Sequence, residues 1–220
     1  MLSIAINSEL KRVLPDLSLG CVRAQVKVEQ LCQPLWADIN LHLAHLTTMY
    51  KPEAVNTIPQ IASMRSAYKA LGKDPSRYRG SAEALLRRVL SGKGLYQVNT
   101  VVDINNLVSL ESLLPAGSYD IANVAPPIEL RTGRAVETYK GIGKNEINIE
   151  NLPVFADAGG AFGSPTSDSE RAMIRPETRQ LLMVLFSFAG AGELDRWMSR
   201  ASELLHRYAA AANLETALVL

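Results

Sequence analysis

The spacing of apolar residues changes along this chain, and that change constrains the fold more than any other feature. Between residues 34 and 90 apolar residues recur every three or four positions, which is the period of an amphipathic helix. After residue 95 they occur in short runs rich in valine, isoleucine, leucine and aromatic residues, which are typical of strands. We therefore predict an α+β fold in which helices flank antiparallel or mixed sheets.

The same patterns place the individual elements. Helices are predicted over residues 34–49, 59–71, 81–90, 103–114 and 192–212. Strands are predicted over residues 21–29, 96–102, 128–131, 135–139, 154–157 and 181–188. The Thr132-Gly133 pair is a turn signal, so residues 128–131 and 135–139 are expected to form a hairpin.

The composition is that of an ordinary soluble protein: 47% of the 220 residues are hydrophobic and 20% are charged. We expect residues 1–64 to form a strand and helix segment packed on a main domain of residues 65–220, together making one compact unit. The N-terminus does not have the pattern of a signal peptide, and the apolar run 181–192 is too short to span a bilayer. We expect a cytoplasmic protein that does not associate with membranes, with Cys21 and Cys32 as free thiols.

A net charge of +1 conceals a local basic cluster. Between residues 65 and 93 there are eight lysines and arginines against two acids. Arg77, Arg79, Arg87 and Arg88 are therefore candidates for contacts with RNA phosphates. The alternative interpretation is a solvated helix face whose long side chains cover apolar surface.

No metal or cofactor site is predicted. His42 and His45 lie three positions apart on a helix, a spacing that can bring two imidazoles to one ion, but no third ligand is evident. The glycine-rich run that starts at Gly159 is not a phosphate-binding P-loop, because no Gly-Lys-Ser/Thr sequence follows it.

An ordered series of motifs between residues 81 and 163 resembles a known family. After the arginine-bearing helix come NTVVDINN from Asn99, LLPAGSYD from Leu113, ET at Glu137, LPVFAD from Leu152 and GGAFG from Gly159. In order and spacing these are similar to the B3/B4 module of the bacterial phenylalanyl-tRNA synthetase beta chain. That module hydrolyses phenylalanine-specific tRNA that has been mischarged with tyrosine.

The resemblance implies a pocket for an aminoacyl ester. Gly160 and Gly163 match positions where the backbone approaches the ligand, and glycine permits such an approach. Asn99 and Gly117 would also contact the substrate, and Glu177 is the nearest counterpart of the family's pocket glutamate. Gly117 stands where the family has a histidine.

Some of these residues also have a structural interpretation. Asn99, Asp103 and Asn106 are typical helix-capping and turn residues, and the glycine-rich run is also compatible with a tight strand connection.

Two functions are consistent with these patterns. The first is a free-standing, trans-editing hydrolase that deacylates mischarged aminoacyl-tRNA. The alternative is a non-catalytic module of the same fold that binds tRNA or an amino acid, which the missing histidine favours. A protein-interaction domain is a third interpretation. The amino acid, the tRNA and the oligomeric state are left open.

Overall fold

The computed structural model describes residues 3–220. The helices are α1 (Ser8–Val13), α2 (Gln33–Met49), α3 (Pro59–Ala70), α4 (Ser81–Leu90), α5 (Thr100–Ser112) and α6 (Leu194–Tyr208). The strands are β1 (Ile4–Ile6), β2 (Ser18–Gln25), β3 (Ala116–Asp120), β4 (Ile128–Thr132), β5 (Thr138–Lys140), β6 (Glu146–Asn148), β7 (Pro153–Asp157), β8 (Gly160–Gly163), β9 (Gln180–Ser187) and β10 (Ala212–Val219).

Within residues 3–220 the strands form two four-stranded sheets and a two-stranded ribbon. One sheet has the order β10-β2-β9-β3 and is antiparallel throughout. The other has the order β1-β4-β7-β8, in which β1 and β4 are parallel and the remaining pairs antiparallel. The ribbon consists of β5 and β6. The prediction of an α+β fold with antiparallel and mixed sheets is confirmed.

Strand β9 separates two hydrophobic cores because alternate side chains of a strand point to opposite faces. Leu181, Met183 and Leu185 pack into a core shared with α2, α5 and α6. Leu182, Val184 and Phe186 pack into a second core that includes residues of β4, β7 and β8. Burying each such side chain contributes roughly 1.5–3 kcal/mol, so β9 is a major contributor to the stability of both cores.

Two residues determine where α5 begins and where it ends. The Asn99 side chain accepts a hydrogen bond from the Val102 N–H at 3.0 Å, which caps the first turn. Leu113 has a φ of 58°, and this left-handed conformation ends the helix. In between, most of the helix is buried, so α5 packs against neighbours on nearly all sides.

Residues 3–64 contribute to both sheets and to the helical layer. In the described residues β1 pairs with β4, and β2 lies between β10 and β9. Leu35, Trp36 and Ile39 of α2 enter the same core as α5 and α6. Cys21 and Cys32 are free thiols. No helix in the described part of the chain is both long enough and apolar enough to cross a bilayer.

Most helix predictions are confirmed within a few residues, but three other predictions are wrong. Residues 96–99 have no regular structure and residue 100 begins α5, so there is no strand at 96–102. The last helix ends at Tyr208, and residues 212–219 form β10. The predicted hairpin is also absent, because β4 pairs with β1 and β7 whereas β5 pairs with β6.

Candidate functional site

A pocket of about 510 Å³ opens between α4, α5, β3 and the segment 164–174. We call it the α4–α5 pocket. Its polar lining residues are Ser81, Asn105, Asn106, Ser118, Thr166 and Asp168, and its apolar ones are Ala84, Leu85, Val98, Val102, Ala116, Ile142, Met173 and Ile174. Apolar walls with a few converging polar groups are typical of sites for small ligands.

Asp168 is the acidic residue of this pocket. Its Oδ1 accepts hydrogen bonds from the Tyr119 hydroxyl at 2.9 Å and from the Ser164 N–H at 3.2 Å. Its Oδ2 accepts no hydrogen bond from any residue that the structure describes. Burial raises the pKa of Asp168 from 3.8 to about 7, although the two hydrogen bonds act in the opposite direction. A carboxyl group with such a pKa exchanges protons near neutral pH.

Tyr119 lies between two of the predicted ligand-binding glycines. A Cβ at Gly163 would be 2.4 Å from the Tyr119 ring, and a Cβ at Gly117 would be 2.3 Å from its hydroxyl oxygen. Both glycines are buried, and both leave space for the tyrosine. Their contribution to the α4–α5 pocket is therefore indirect, through the ring that holds Asp168.

Two further tyrosines anchor the segment 164–168. Tyr139 donates from its hydroxyl to the Ser164 hydroxyl at 3.2 Å and makes a short hydrogen bond to the Ser167 carbonyl. The hydroxyls of Tyr68 and Thr166 are hydrogen-bonded at 2.8 Å. Because both tyrosines are buried in the second hydrophobic core, they anchor the segment that carries Asp168 to that core.

On the opposite wall, α5 supplies the asparagine pair of the sequence motif. The Ser118 hydroxyl donates to Asn105 Oδ1 at 2.9 Å, and Asn105 Nδ2 donates to the Ala116 carbonyl at 3.5 Å. The Asn106 side chain makes no hydrogen bond within the described residues, so its amide is available to a ligand. Asn99 caps α5 instead of lining the pocket.

Comparisons with known proteins identify the family of this chain. The model of the B3/4 domain matches residues 63–219. The chain belongs to the B3/4 domain family. No curated protein matches the sequence.

Among solved structures, this B3/4 domain is similar to an N-terminal fragment of the phenylalanyl-tRNA synthetase beta subunit from Pyrococcus horikoshii, with a TM-score of 0.50 and 10% sequence identity. The alignment covers 99% of this chain and 50% of that fragment, so the chain spans about half the length of the structure it matches. At this identity the similarity shows the fold.

None of the five residues predicted to bind substrate or to catalyse lines the α4–α5 pocket of the B3/4 domain, and two of them are found elsewhere on the structure. Gly160 has a φ of +103° and lines a different depression beside Arg131 and Glu137. Glu177 is exposed and lines neither of these cavities. The sequence pattern did not identify Asp168 as a site residue, because its environment depends on Tyr119, which lies 49 positions away in the chain.

Two of the four predicted RNA-binding arginines also hold a buried carboxylate. The side chain of Glu83 is 1% exposed and forms ion pairs with Arg87 at 2.8 Å, Arg65 at 3.0 Å and Arg79 at 3.5 Å. Arg77 is exposed, with no ion pair within the described residues. Arg79 and Arg87 therefore stabilise the junction of α3, α4 and the connection between them, whereas Arg77 is free to contact a phosphate.

Potential metal ligands are not clustered in the part of the chain that the structure describes. His42 and His45 have ring centroids 6.5 Å apart. Among the described residues no group of three or more histidine, cysteine, aspartate or glutamate side chains is placed to hold an ion.

Proposed function

We propose that this B3/4 domain binds the aminoacyl end of a tRNA in the α4–α5 pocket and hydrolyses the ester that joins amino acid and ribose. The observation that carries the proposal is Asp168, a pocket carboxyl whose pKa burial raises to about 7 and whose Oδ2 accepts no hydrogen bond from the described residues. A base that is partly ionised at neutral pH and can later return its proton accelerates ester hydrolysis at that pH. In this proposal Asp168 has that role, and the exposed Glu177 does not.

The chemical steps use groups that line the pocket. The Asp168 carboxylate takes a proton from a water molecule as that water attacks the ester carbonyl carbon. The resulting oxyanion accepts hydrogen bonds from the Asn106 amide and the Thr166 hydroxyl. The carbon–oxygen bond to the ribose then breaks, and the protonated Asp168 delivers the proton to the leaving oxygen. The products are the free amino acid and the uncharged tRNA.

Binding of the amino acid would use the remaining surfaces. The apolar wall formed by Leu85, Val102 and Ile174 suits an uncharged side chain, because its burial there removes apolar area from water. The Asn106 amide, the Thr166 hydroxyl and Asp168 supply polar contacts to the ester and the amino group. Because arginines of the 65–93 cluster lie on the surface near α4, RNA binding would be electrostatic and salt-dependent.

The test is a deacylation assay. Purified protein is mixed with tRNAs charged in advance with a panel of labelled amino acids, and loss of the ester is followed against a no-protein control. We expect turnover of one or a few esters. Asn106→Ala and Asp168→Asn should reduce that turnover, while the exposed Glu177→Gln, as the matched control, should leave it unchanged. If no ester in the panel is lost faster than in the control, the hydrolase proposal is wrong.

Gly117 favours a second candidate, a module that binds without catalysis. A side chain at this position would meet the Tyr119 hydroxyl at 2.3 Å, so no imidazole could be accommodated where the family has histidine. In this case the pocket would bind the aminoacyl end without turnover. Titration with charged and uncharged tRNA at several salt concentrations would then show affinity that falls steeply with salt, without loss of the ester.

A further inference from the structure

Beside the α4–α5 pocket an arginine lies against an exposed aromatic ring. The Cζ atom of Arg88 is 3.7 Å from the centroid of the Tyr96 ring. Nevertheless Tyr96 remains 67% exposed. The guanidinium covers only one face of the ring, and the other face is open.

The guanidinium of Arg88 is only partly used by the protein. Its Nη2 donates to the Lys93 carbonyl at 3.3 Å. Its Nε–H is enclosed and has no acceptor among the described residues. Within the described residues no acid is paired with Arg88, whereas Glu29, on the segment that contacts Thr100, is paired with Lys27 at 2.7 Å. The positive charge of Arg88 is therefore available to an anion beside the ring.

Arg88 and Tyr96 belong to chain segments that also supply lining residues of the pocket. On α4, Arg88 lies one turn beyond Ala84 and Leu85 on the same helix face, a rise of about 5 Å. Tyr96 is two residues before Val98, which lines the pocket, a distance of at most about 7 Å along an extended chain. Val98 is held in place because its N–H donates to Asp103 and its carbonyl accepts from Gln30.

We propose that Tyr96 and Arg88 form a stacking platform for a nucleobase of an RNA strand whose 3′ end enters the α4–α5 pocket. This proposal rests on the proposed function, and it names the RNA contact of that site. With a base stacked on its open face, the Tyr96 ring would lie between the base and the Arg88 guanidinium. Arg88 would contribute a cation–π interaction with the ring and charge for the adjacent phosphate.

The test is binding of a short single-stranded RNA with a free 3′-hydroxyl and a 5′ fluorescent label, followed by anisotropy. Loss of stacking on one aromatic side chain weakens single-strand binding about 5- to 150-fold. We expect Tyr96→Leu to have an effect of this size and Tyr96→Phe to bind like the wild type, because only the first change removes the aromatic face. Leu41→Ala, on the exposed face of α2, is the matched control and should bind normally.

The outcomes separate this proposal from the hydrolase proposal. RNA affinity that is lost in Tyr96→Leu supports the platform even if the wild type hydrolyses no ester. If esters are hydrolysed but Tyr96→Leu retains the wild-type RNA affinity and kcat/KM, the platform is overturned while the hydrolase stands. Absence of RNA binding by the wild type overturns the platform as well. Thermal unfolding of each variant checks that the fold is retained.

Discussion

The hydroxyl of Tyr119 donates a hydrogen bond to Oδ1 of Asp168 over 2.9 Å, and it joins β3 to a segment 49 residues later in the chain. The ring itself is fully buried against Phe155 and Phe162, so the position of this hydroxyl is fixed by packing. A buried tyrosine thus orients a pocket carboxyl that would otherwise have several rotamers.

The first prediction concerns the pH dependence of deacylation. Since burial raises the pKa of Asp168 to about 7, the rate should rise with pH and level off above that value. Asp168→Asn should remove this dependence and lower kcat by about 100-fold or more, the usual contribution of a positioned base. Single-turnover rates measured across this range would check both. If the rate of the Asp168→Asn variant still rises with pH at the same midpoint, the titrating group is a different residue.

Tyr119→Phe tests the hydrogen bond itself. Because the bond from Tyr119 holds the pKa of Asp168 down, its loss should raise that pKa further and shift the midpoint of the rate profile to higher pH. Tyr68→Phe is a suitable control, since the Tyr68 hydroxyl contacts Thr166 and not Asp168. Equal midpoints in both variants would mean that the Tyr119 hydroxyl has no influence on the titration.

A third prediction concerns stability. The folded pKa of Asp168 lies above its ordinary value of 3.8, so the native state binds this proton more tightly than the unfolded state does. Its contribution to the free energy of unfolding is fully present below pH 3.8 and is lost as the pH rises through about 7. Asp168→Asn should therefore flatten the fall in stability over this interval. Urea denaturation at a series of pH values would measure the slope, and an unaltered slope would contradict the assignment.

The two glycines of β8 should respond differently to alanine. At Gly163 the new methyl group would overlap the Tyr119 ring, and such overpacking costs about 1–3 kcal/mol. At Gly160 there is open space, but a φ of +103° is strained for any other residue and costs about 1–2 kcal/mol. In a Tyr119→Ala background the cost of Gly163→Ala should fall, whereas that of Gly160→Ala should persist. A double-mutant cycle on unfolding free energies compares the two.

Glu83→Gln should destabilise the protein through the arginines around it. The change removes the only carboxylate shared by Arg65, Arg79 and Arg87 within the described structure and leaves three like charges close together. We expect a loss of about 2 kcal/mol or more, less than for a fully enclosed pair because solvent screens the partly exposed arginines. Chemical denaturation would measure it. The exposed Glu53→Gln serves as control and should have little effect.

The helices could be predicted because each carries its own apolar period, as α2 and α4 do. Strand β10 could not, because most of its side chains are exposed and do not alternate. Its conformation depends on pairing with β2, nearly two hundred residues earlier. Similarly, the run at 96–102 contains β-branched residues, but the Asn99 side chain caps a helix there.

The sequence indicated a motif that contributes to the candidate site, but none of the residues predicted to bind substrate or to catalyse lines the pocket. Asn105 and Asn106 belong to that motif and line the pocket, although Asn106 was interpreted as a capping or turn residue. Asp168 has no distinctive local pattern, because its pKa results from burial in the tertiary structure. The sequence motif identified Gly163 as unusual, but the physical reason is the Tyr119 ring beside it.

The position of β2 also determines where this chain can be shortened. The family model begins at residue 63, yet residues 18–25 form the strand between β9 and β10. We infer that a fragment limited to residues 63–219 would leave β9 with an unpaired edge and β10 without its neighbour, while uncovering the apolar surface that α2 protects. Exposed edges and apolar patches favour intermolecular strand pairing, so such a fragment should aggregate on expression.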